Sequence, residues 1–457
     1  MAITQLLNDC RKFFDSGATK PYSYRRQQLL RLKAAIEKYE HQIYAALHAD
    51  LKKSAEECWV TENGIVLAEI KQLLRHLKEW MQPERKRTNL LNLGSASYVY
   101  KEPLGVVLII GPWNYPFQLI MKPLAGAIAA GNAVVLKPSE HAPATSAILK
   151  TILQEVFSPK YVLYVEGDGS EVIPAMMNAF AFDHVFFTGS TTVGKAIYKM
   201  AAEKLTPVTL ELGGKSPAIV EADANIKVAA RRIALPKFSN AGQMCIAPDY
   251  VLVHHSQKDE LLQALKDVLM DFFGRDASQS ENYGKIINEK QFDRLAQLMA
   301  DGNMVTGGNL DKSRLYIEPT ILTEINTDSA IMQQEIFGPI LPVITFKTRE
   351  EAQAIIMQHK NPLAFYLFTS DKKKEQDWLN RVAFGGGCIN NASLHFTNDD
   401  LPFGGRGNSG MGMYHGKYSF DTFSHQKAVM KTPTWLDPAI KYPPFTGKLK
   451  LFKWFVR

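Results

Sequence analysis

Glu211, in E-L-G-G-K-S-P, and Cys245, in G-Q-M-C-I-A-P, lie 34 positions apart, each among small residues with a proline close by. Such surroundings suit a bend that bares backbone to a ligand better than the inside of a helix or strand. A thiol and a carboxylate so placed can share a covalent reaction: the sulfur attacks an electrophilic carbon, and the carboxylate draws a proton from the water that releases the product. A thiol of ordinary pKa, about 8.5, is only slightly ionised at neutral pH, so the site must lower that value or supply a base. A carboxylate of ordinary pKa, about 4.3, is a weak base, so Glu211 is expected in a partly desolvated passage that raises it. Taken singly, the cysteine reads equally as a small buried hydrophobe and the glutamate as a paired or solvated carboxylate.

Two glycine patterns suggest other chemistry and do not sustain it. Gly189 to Lys195 fits the G-x-x-x-x-G-K of a P-loop, but the next residue is Ala196, so the hydroxyl that would hold magnesium is missing. G-R-G-N-S-G at 405–410 matches G-x-G-x-x-G, yet it follows L-P-F-G instead of a strand and leads into M-G-M, so it reads as a loop. What remains at F-T-G-S-T-T-V-G-K is a strand end, a glycine turn and a helix start, which presents N–H groups and a positive helix end to a pyrophosphate.

The elements that must position these residues alternate. From Arg25 to Leu51, apolar residues at 29, 32, 36, 39, 43 and 47 predict an amphipathic helix, and a second helix is expected over 60–80. Q-P-E-R-K-R-T-N then breaks the pattern as a surface loop or arm, and S-A-S-Y-V-Y-K reads as a strand. Apolar runs ending near 110, 136, 165, 187 and 210 alternate with helical segments, which implies a parallel sheet covered on both faces. Ligands bind beyond the carboxyl ends of such strands, where Gly111, Lys137 and Thr188 fall. A second alternating region starts near Pro217 and includes 250–254, 340–346 and 363–369, so the chemistry is expected in a cleft between two α/β units. Past about Phe420 the pattern fades into Pro-rich connecting sequence, and no internal repeat is present.

Six segments occur in family order and together resemble the aldehyde dehydrogenases: G-P-W-N-Y-P at 111–116, K-P-S-E at 137–140, F-T-G-S-T-T-V-G-K at 187–195, the Glu211 and Cys245 segments, and E-I-F-G-P at 335–339. The resemblance covers roughly residues 1–435. The short N-terminus and L-P-F-G-G-R-G-N-S-G-M-G at 401–412 are similar to the class 3 branch, which includes fatty and aromatic aldehyde dehydrogenases. It implies an α/β fold with a Rossmann-like parallel-sheet NAD(P)-binding domain at 1–81 and 102–210, and a second α/β catalytic domain at 211–419. A small β oligomerisation arm at 82–101 and 420–440 would pair with a partner subunit in a homodimer, with 441–457 as a tail.

The same resemblance implies NAD or NADP as cofactor, an aldehyde as substrate, and roles for individual residues. Cys245 would be the nucleophile, Glu211 the base, and the Asn114 amide with the Cys245 N–H the oxyanion donors. Gly189, Ser190 and Gly194 would line the pyrophosphate turn, Lys137 and Glu140 would hold the adenosine ribose, Glu335 the nicotinamide ribose, and Phe337 would pack near the ring. Read from residues alone, Asn114 is a turn residue, Lys137 and Glu140 a solvated loop, and Phe337 a core aromatic. Lys122, at a position credited in the family with a supporting proton role, reads as a surface lysine. Met244 stands where class 3 relatives often carry threonine, and Ser393 and His395 are expected near the substrate mouth or in a loop without a role. Three rival functions share the fold: a coenzyme-A-acylating relative, which commonly lacks the glutamate, a thiol esterase, and a non-catalytic structural or binding protein.

Composition narrows the field. The 457 residues suffice for two or three domains, with 46% hydrophobic and 22% charged residues, ordinary values for a soluble globular chain. Cys10, Cys58, Cys245 and Cys388 lie far apart, which argues against a disulfide framework or metal site and favours a reducing, cytoplasmic setting. The net charge of +7 is spread along the chain, so nucleic-acid binding is not expected. The tail K-L-K-L-F-K-W-F-V-R alternates basic and large apolar residues, a pattern suited to weak peripheral contact with a membrane or to a docked or disordered end.

Overall fold

Five apolar runs of the first half become parallel strands; the first four are each followed by a helix that covers the sheet, and the fifth leads directly into the second sheet. In the computed structural model, which describes residues 3–455, they form a sheet in the spatial order Gly410–Met411, Val208–Glu211, His184–Thr188, Val106–Ile110, Ala133–Lys137, Val162–Tyr164. All pairs are parallel except the edge strand Gly410–Met411, which runs antiparallel to Val208–Glu211 and sets Gly410 opposite Glu211. The helix Gln118–Ala130, buried at every residue, follows the G-P-W-N-Y-P turn.

A second sheet runs Asn303–Thr306, Thr320–Thr323, Ile340–Phe346, Tyr250–His254, Pro217–Val220, Ala364–Phe368, Gly386–Ile389, parallel but for its antiparallel first strand. The third, three-stranded sheet joins Glu84–Lys86, Ala96–Pro103 and Ser424–Lys431.

Three expectations need correction. The helix predicted over 25–51 is two, Tyr22–Lys38 and Glu40–Leu51, divided at Tyr39, whose backbone (φ −96°, ψ 13°) leaves the helical region while the apolar stripe continues across the break. The helix predicted over 60–80 begins with one wide turn of π-helix, Trp59–Asn63, before Gly64–Trp80, and that turn buries Glu62 and Asn63. Regular structure does not fade at Phe420: Ser424–Lys431 pairs along its whole length with Ala96–Pro103. Its residues S-H-Q-K-A-V-M-K are mostly exposed on both faces within this chain, so no apolar alternation marks it.

Candidate active site

The segment bearing Cys245 is shaped by backbone that few residues adopt. After the helix Ile226–Phe238, Asn240 (φ 49°), Ala241 (φ 50°) and Gly242 (φ 72°) lie consecutively in the left-handed region, a costly arrangement that persists only where surroundings impose it. A side chain at Gly242 would collide with the carbonyls of Lys237 and Gly338. The turn is held by buried amides: Asn240 Nδ2 donates to the carbonyls of Asn114 (2.8 Å) and Gln243 (3.2 Å), and its N–H donates to Glu57 Oε1 (3.0 Å). Gln243 donates to Asn240 O and Lys285 O, both at 2.9 Å, and accepts from the Ile287 N–H at 3.0 Å.

Cys245 follows this anchored loop. Burial, then the negative charges of Glu335 and Glu211, push its thiol pKa upward; N–H groups of Cys245 and Ile246 aimed at the sulfur oppose the shift. The thiol and both carboxylates therefore share one low-dielectric space, and negative charge on one disfavours it on the others.

Glu211 ends the strand Val208–Glu211 and is 2% exposed. Neither carboxylate oxygen has a hydrogen-bond partner, and desolvation raises its pKa well above the carboxylate range, as the sequence argument required. Its backbone is fixed from both sides, since Gly189 N–H donates to Glu211 O at 3.0 Å and Leu212 N–H to Ser409 O at 3.0 Å. The G-R-G-N-S-G loop thus tacks down the strand that carries the glutamate.

Asn114, 2% exposed, is tied to the nucleophile loop, its Nδ2 donating to Gln243 O at 3.1 Å. That leaves the second amide hydrogen for another acceptor. The pocket at Cys245 is walled by Tyr115, Leu119, Met244, Phe396, Phe403 and His415, an apolar and aromatic lining with few polar groups. Ser393 and His395 are not in that wall: Ser393 is buried with φ 59°, and His395 stacks behind Phe403 (centroids 6.0 Å, planes 15°) with Nδ1 3.6 Å from Cys388 Sγ. His415, which sequence reasoning missed, occupies the wall instead. Lys122 is not a surface lysine but fully buried, 3.6 Å from Glu69 and 3.8 Å from Asp399. No local pattern announced either, because burial of a single polar residue leaves no periodic trace.

The residues expected around a dinucleotide gather at the carboxyl ends of the first sheet. The helix Thr191–Ala202 starts at the turn, where Ser190 accepts from Val193 N–H at 3.4 Å, and the first N–H groups of this exposed helix end lack helical acceptors. A Cβ on Gly189 would come within 2.5 Å of the Phe187 ring, and one on Gly194, in the first helical turn, within 2.6 Å of Leu212, so a side chain at either would have to displace that neighbour. Lys137 and Glu140 pair at 2.9 Å, and Glu140 also accepts from Gly169 N–H at 3.2 Å. Burial raises the Glu140 pKa, but the Lys137 and backbone hydrogen bonds outweigh it, so the net shift is downward.

Glu335 lies against Gly213, whose missing side chain its carboxylate fills. Its pKa is raised to about 8 by burial and Asp249, against the Gly214 hydrogen bond and the cations Lys215 and Arg294. Those neighbours also clamp its loop. Lys215 pairs with Asp249 and donates to the carbonyls of Ile331 (2.7 Å) and Gln334 (3.0 Å); Asp249 accepts from Ile336 N–H (2.9 Å), and Arg294 donates to Ile336 O (2.6 Å). Phe337 holds φ 50° and meets Trp113 edge-on, centroids 5.2 Å apart. A glycine turn at a helix start, an ion pair at a strand end and a carboxylate over a glycine are groups of the kind that fit a dinucleotide.

Comparison with known proteins supplies independent findings. The aldehyde dehydrogenase family profile matches residues 2–429. The chain is 48% identical over 457 residues to the 4,4'-diaponeurosporen-aldehyde dehydrogenase of Staphylococcus aureus (strain NCTC 8325 / PS 47), covering 100% of this chain and 99% of that one. It is 41% identical over 449 residues to the dimeric NADP-preferring aldehyde dehydrogenase of Canis lupus familiaris, covering 98% and 99%. The solved substrate-bound state of Staphylococcus aureus AldH matches it with a TM-score of 0.97 at 47% identity, covering 100% of both chains.

Proposed function

The chain belongs to the aldehyde dehydrogenase family, and from that premise we propose how its own residues divide the work. The reaction is NAD(P)-dependent oxidation of an aldehyde to a carboxylic acid. The observation that carries the assignment is a buried carboxylate with no partner, Glu211, sharing a desolvated space with the Cys245 thiol.

With its raised pKa, Glu211 is a stronger base than an ordinary carboxylate and competent to relieve Cys245 or a water of a proton. The thiol and the two carboxylates repel one another's charge, so an ionised Glu211 and a Cys245 thiolate disfavour each other. The Cys245 sulfur bonds to the aldehyde carbon, and the carbonyl π electrons move to oxygen. That alkoxide takes hydrogen bonds from the open N–H of the Asn114 amide and from the Cys245 N–H, donors worth about 3 kcal/mol each where they serve comparable oxyanions. A dinucleotide held by Gly189, Ser190, Gly194, Lys137, Glu140 and Glu335, with Phe337 beside its ring, would supply the hydride acceptor. The acyl group left on Cys245 is a thioester, and Glu211 takes a proton from the water that attacks it; the carbon–sulfur bond breaks and the acid leaves. The aromatic pocket wall supports medium- or long-chain aliphatic or aromatic substrates.

The two parallel sheets support the division into an NAD(P)-binding unit (1–81, 102–210) and a catalytic unit (211–419), with 82–101 and 420–440 as a dimerisation arm. Exposed Leu90, Leu91 and Leu93 at 52–74% favour that arm as a homodimer contact, and sedimentation at the monomer mass would remove it. Four free thiols suit a cytoplasmic setting. No helix among the described residues is long and apolar enough to cross a membrane. The tail forms a short helix, Leu449–Phe455, with Leu449 and Trp454 exposed, which supports weak peripheral contact; absence of flotation with anionic vesicles would refute that contact. Its last two residues lie outside the described structure.

The defining experiment mixes purified protein with NAD⁺ or NADP⁺ and a graded aldehyde panel while nicotinamide absorbance is followed. Signal with apolar aldehydes is expected, and Cys245→Ala should abolish it with cofactor binding retained. Silence with every member would reject the assignment.

A further inference from the structure

A buried ion pair that this chemistry does not use sits beneath the Asn114 turn. The side chains of Lys53 and Glu62 are inaccessible to solvent, with Nζ and Oε1 2.6 Å apart. An apolar pair of similar volume often serves stability as well or better, so stability alone is a poor reason for burying two charges there. Their other bonds supply a better one. Lys53 Nζ donates to the Asn114 carbonyl at 3.2 Å and lies 3.9 Å from the centroid of the Tyr115 ring, while Glu62 Oε2 accepts from the Gln118 N–H at 2.8 Å. Glu62 reaches this place from the π-helical turn Trp59–Asn63, a local departure from regular helix of a kind often found at functional sites.

The Asn114 carbonyl therefore receives two buried donors, Lys53 Nζ from one segment and Asn240 Nδ2 from the nucleophile loop. Holding that carbonyl fixes the peptide plane from which the Asn114 side chain springs. One N–H of the side-chain amide is engaged by Gln243 O at 3.1 Å, and with both ends tethered the other has a single direction left to it. An oxyanion donor is effective only when pre-aimed, since an error of about 1 Å can cost about a hundredfold in rate.

We infer that Lys53, oriented by Glu62, is a positioning residue that aims the Asn114 amide at the developing alkoxide on the substrate. It touches neither sulfur nor aldehyde. The inference rests on the roles proposed for Asn114 and Cys245. It predicts a specific pattern: steps that create an oxyanion suffer when the Lys53 bond is lost, and steps that do not are spared.

The test is Lys53→Met combined with Glu62→Gln, which removes the cation together with the carboxylate it pairs with. Three reactions of Cys245 are compared in the full-length protein: aldehyde oxidation, hydrolysis of p-nitrophenyl acetate, which passes through a tetrahedral oxyanion at the same position and expels p-nitrophenolate instead of hydride, and alkylation by iodoacetamide, which forms no oxyanion. Aldehyde and ester turnover should fall together by about tenfold or more, with alkylation within about twofold of the parent. In an Asn114→Ala background the pair should add almost nothing, because the amide it aims is gone. Retained turnover, an equal fall in alkylation, or full multiplication with Asn114→Ala would overturn the inference. If the double variant does not fold, Asn240→Gly removes the other donor to the same carbonyl, with its bond to Gln243 O, at a φ that glycine adopts freely; aldehyde and ester turnover should fall with alkylation spared, and an equal fall in alkylation would overturn the inference. A parent protein inactive toward every aldehyde and ester would fail the functional reading itself; an active parent with an indifferent double variant fails only this inference.

Discussion

Replacing Glu211 by glutamine tests the base directly, because the structure confines the change to the side chain. The backbone of Glu211 is held by pairing with Gly410 on one side and Thr188 on the other, and neither carboxylate oxygen bonds to anything that glutamine would have to replace. The lost function is proton removal from the water that hydrolyses the thioester. General bases contribute roughly 10²- to 10⁴-fold, so the barrier to deacylation should rise by about 3–5 kcal/mol. Attack by Cys245 and hydride loss precede that step, so rapid mixing should show about one nicotinamide reduced per active site followed by a slow steady state. The pH profile carries the sign of the pKa shift. Desolvation raises Glu211 well above the usual carboxylate value, so the basic form accumulates only at higher pH; deacylation in the parent should climb through that range, and the variant should lack that step. Undiminished steady-state turnover in Glu211→Gln would refute the role. Loss of the initial burst together with turnover would instead place Glu211 before hydride transfer, as the base that ionises Cys245.

The clamp around Glu335 yields two further expectations. Lys215→Met leaves Asp249 charged, buried and unpaired, which should destabilise the fold by about 3–5 kcal/mol in denaturant titration. The freed 331–336 loop should raise KM for the cofactor more than KM for the aldehyde, and equal changes in both would argue against the clamp. Glu335 has a folded-state pKa raised to about 8, so its favourable contribution is complete below the ordinary carboxylate value and is lost as pH rises through about 8. The melting temperature of Glu335→Gln relative to the parent should therefore climb between pH 5 and pH 8, and a flat difference would contradict the shift.

Much of this arrangement was legible because its constraints are local. The runs that became Val106–Ile110, Ala133–Lys137, Val162–Tyr164 and His184–Thr188 are apolar on both faces, which suits a covered parallel strand, and Val208–Glu211 followed them in the same alternation with helices. Gly189, Gly194 and Gly213 mark places where the Phe187 ring, the Leu212 side chain and the Glu335 carboxylate come close to the backbone. The strands Asn303–Thr306 and Gly386–Ile389 escaped notice because edge positions do not demand apolar residues on both faces. The left-handed backbone at Asn240 and Ala241 was equally silent, since neither residue type requires it; the imposed geometry comes from nearby Gln243 together with Asn114 and Glu57, which are distant in sequence. Lys53 and Glu62 show the same limit at the level of charge. Nine positions apart in a stretch rich in Lys and Glu, Lys53 in the link after Leu51 and Glu62 in the turn Trp59–Asn63, they look like solvated charges, and only the packing of Asn114 and Gln118 above them turns two ordinary surface letters into a dry ion pair. The reacting groups are thus readable where chemistry restricts residue type, whereas the parts that aim them depend on contacts between distant segments, which a one-dimensional pattern does not encode.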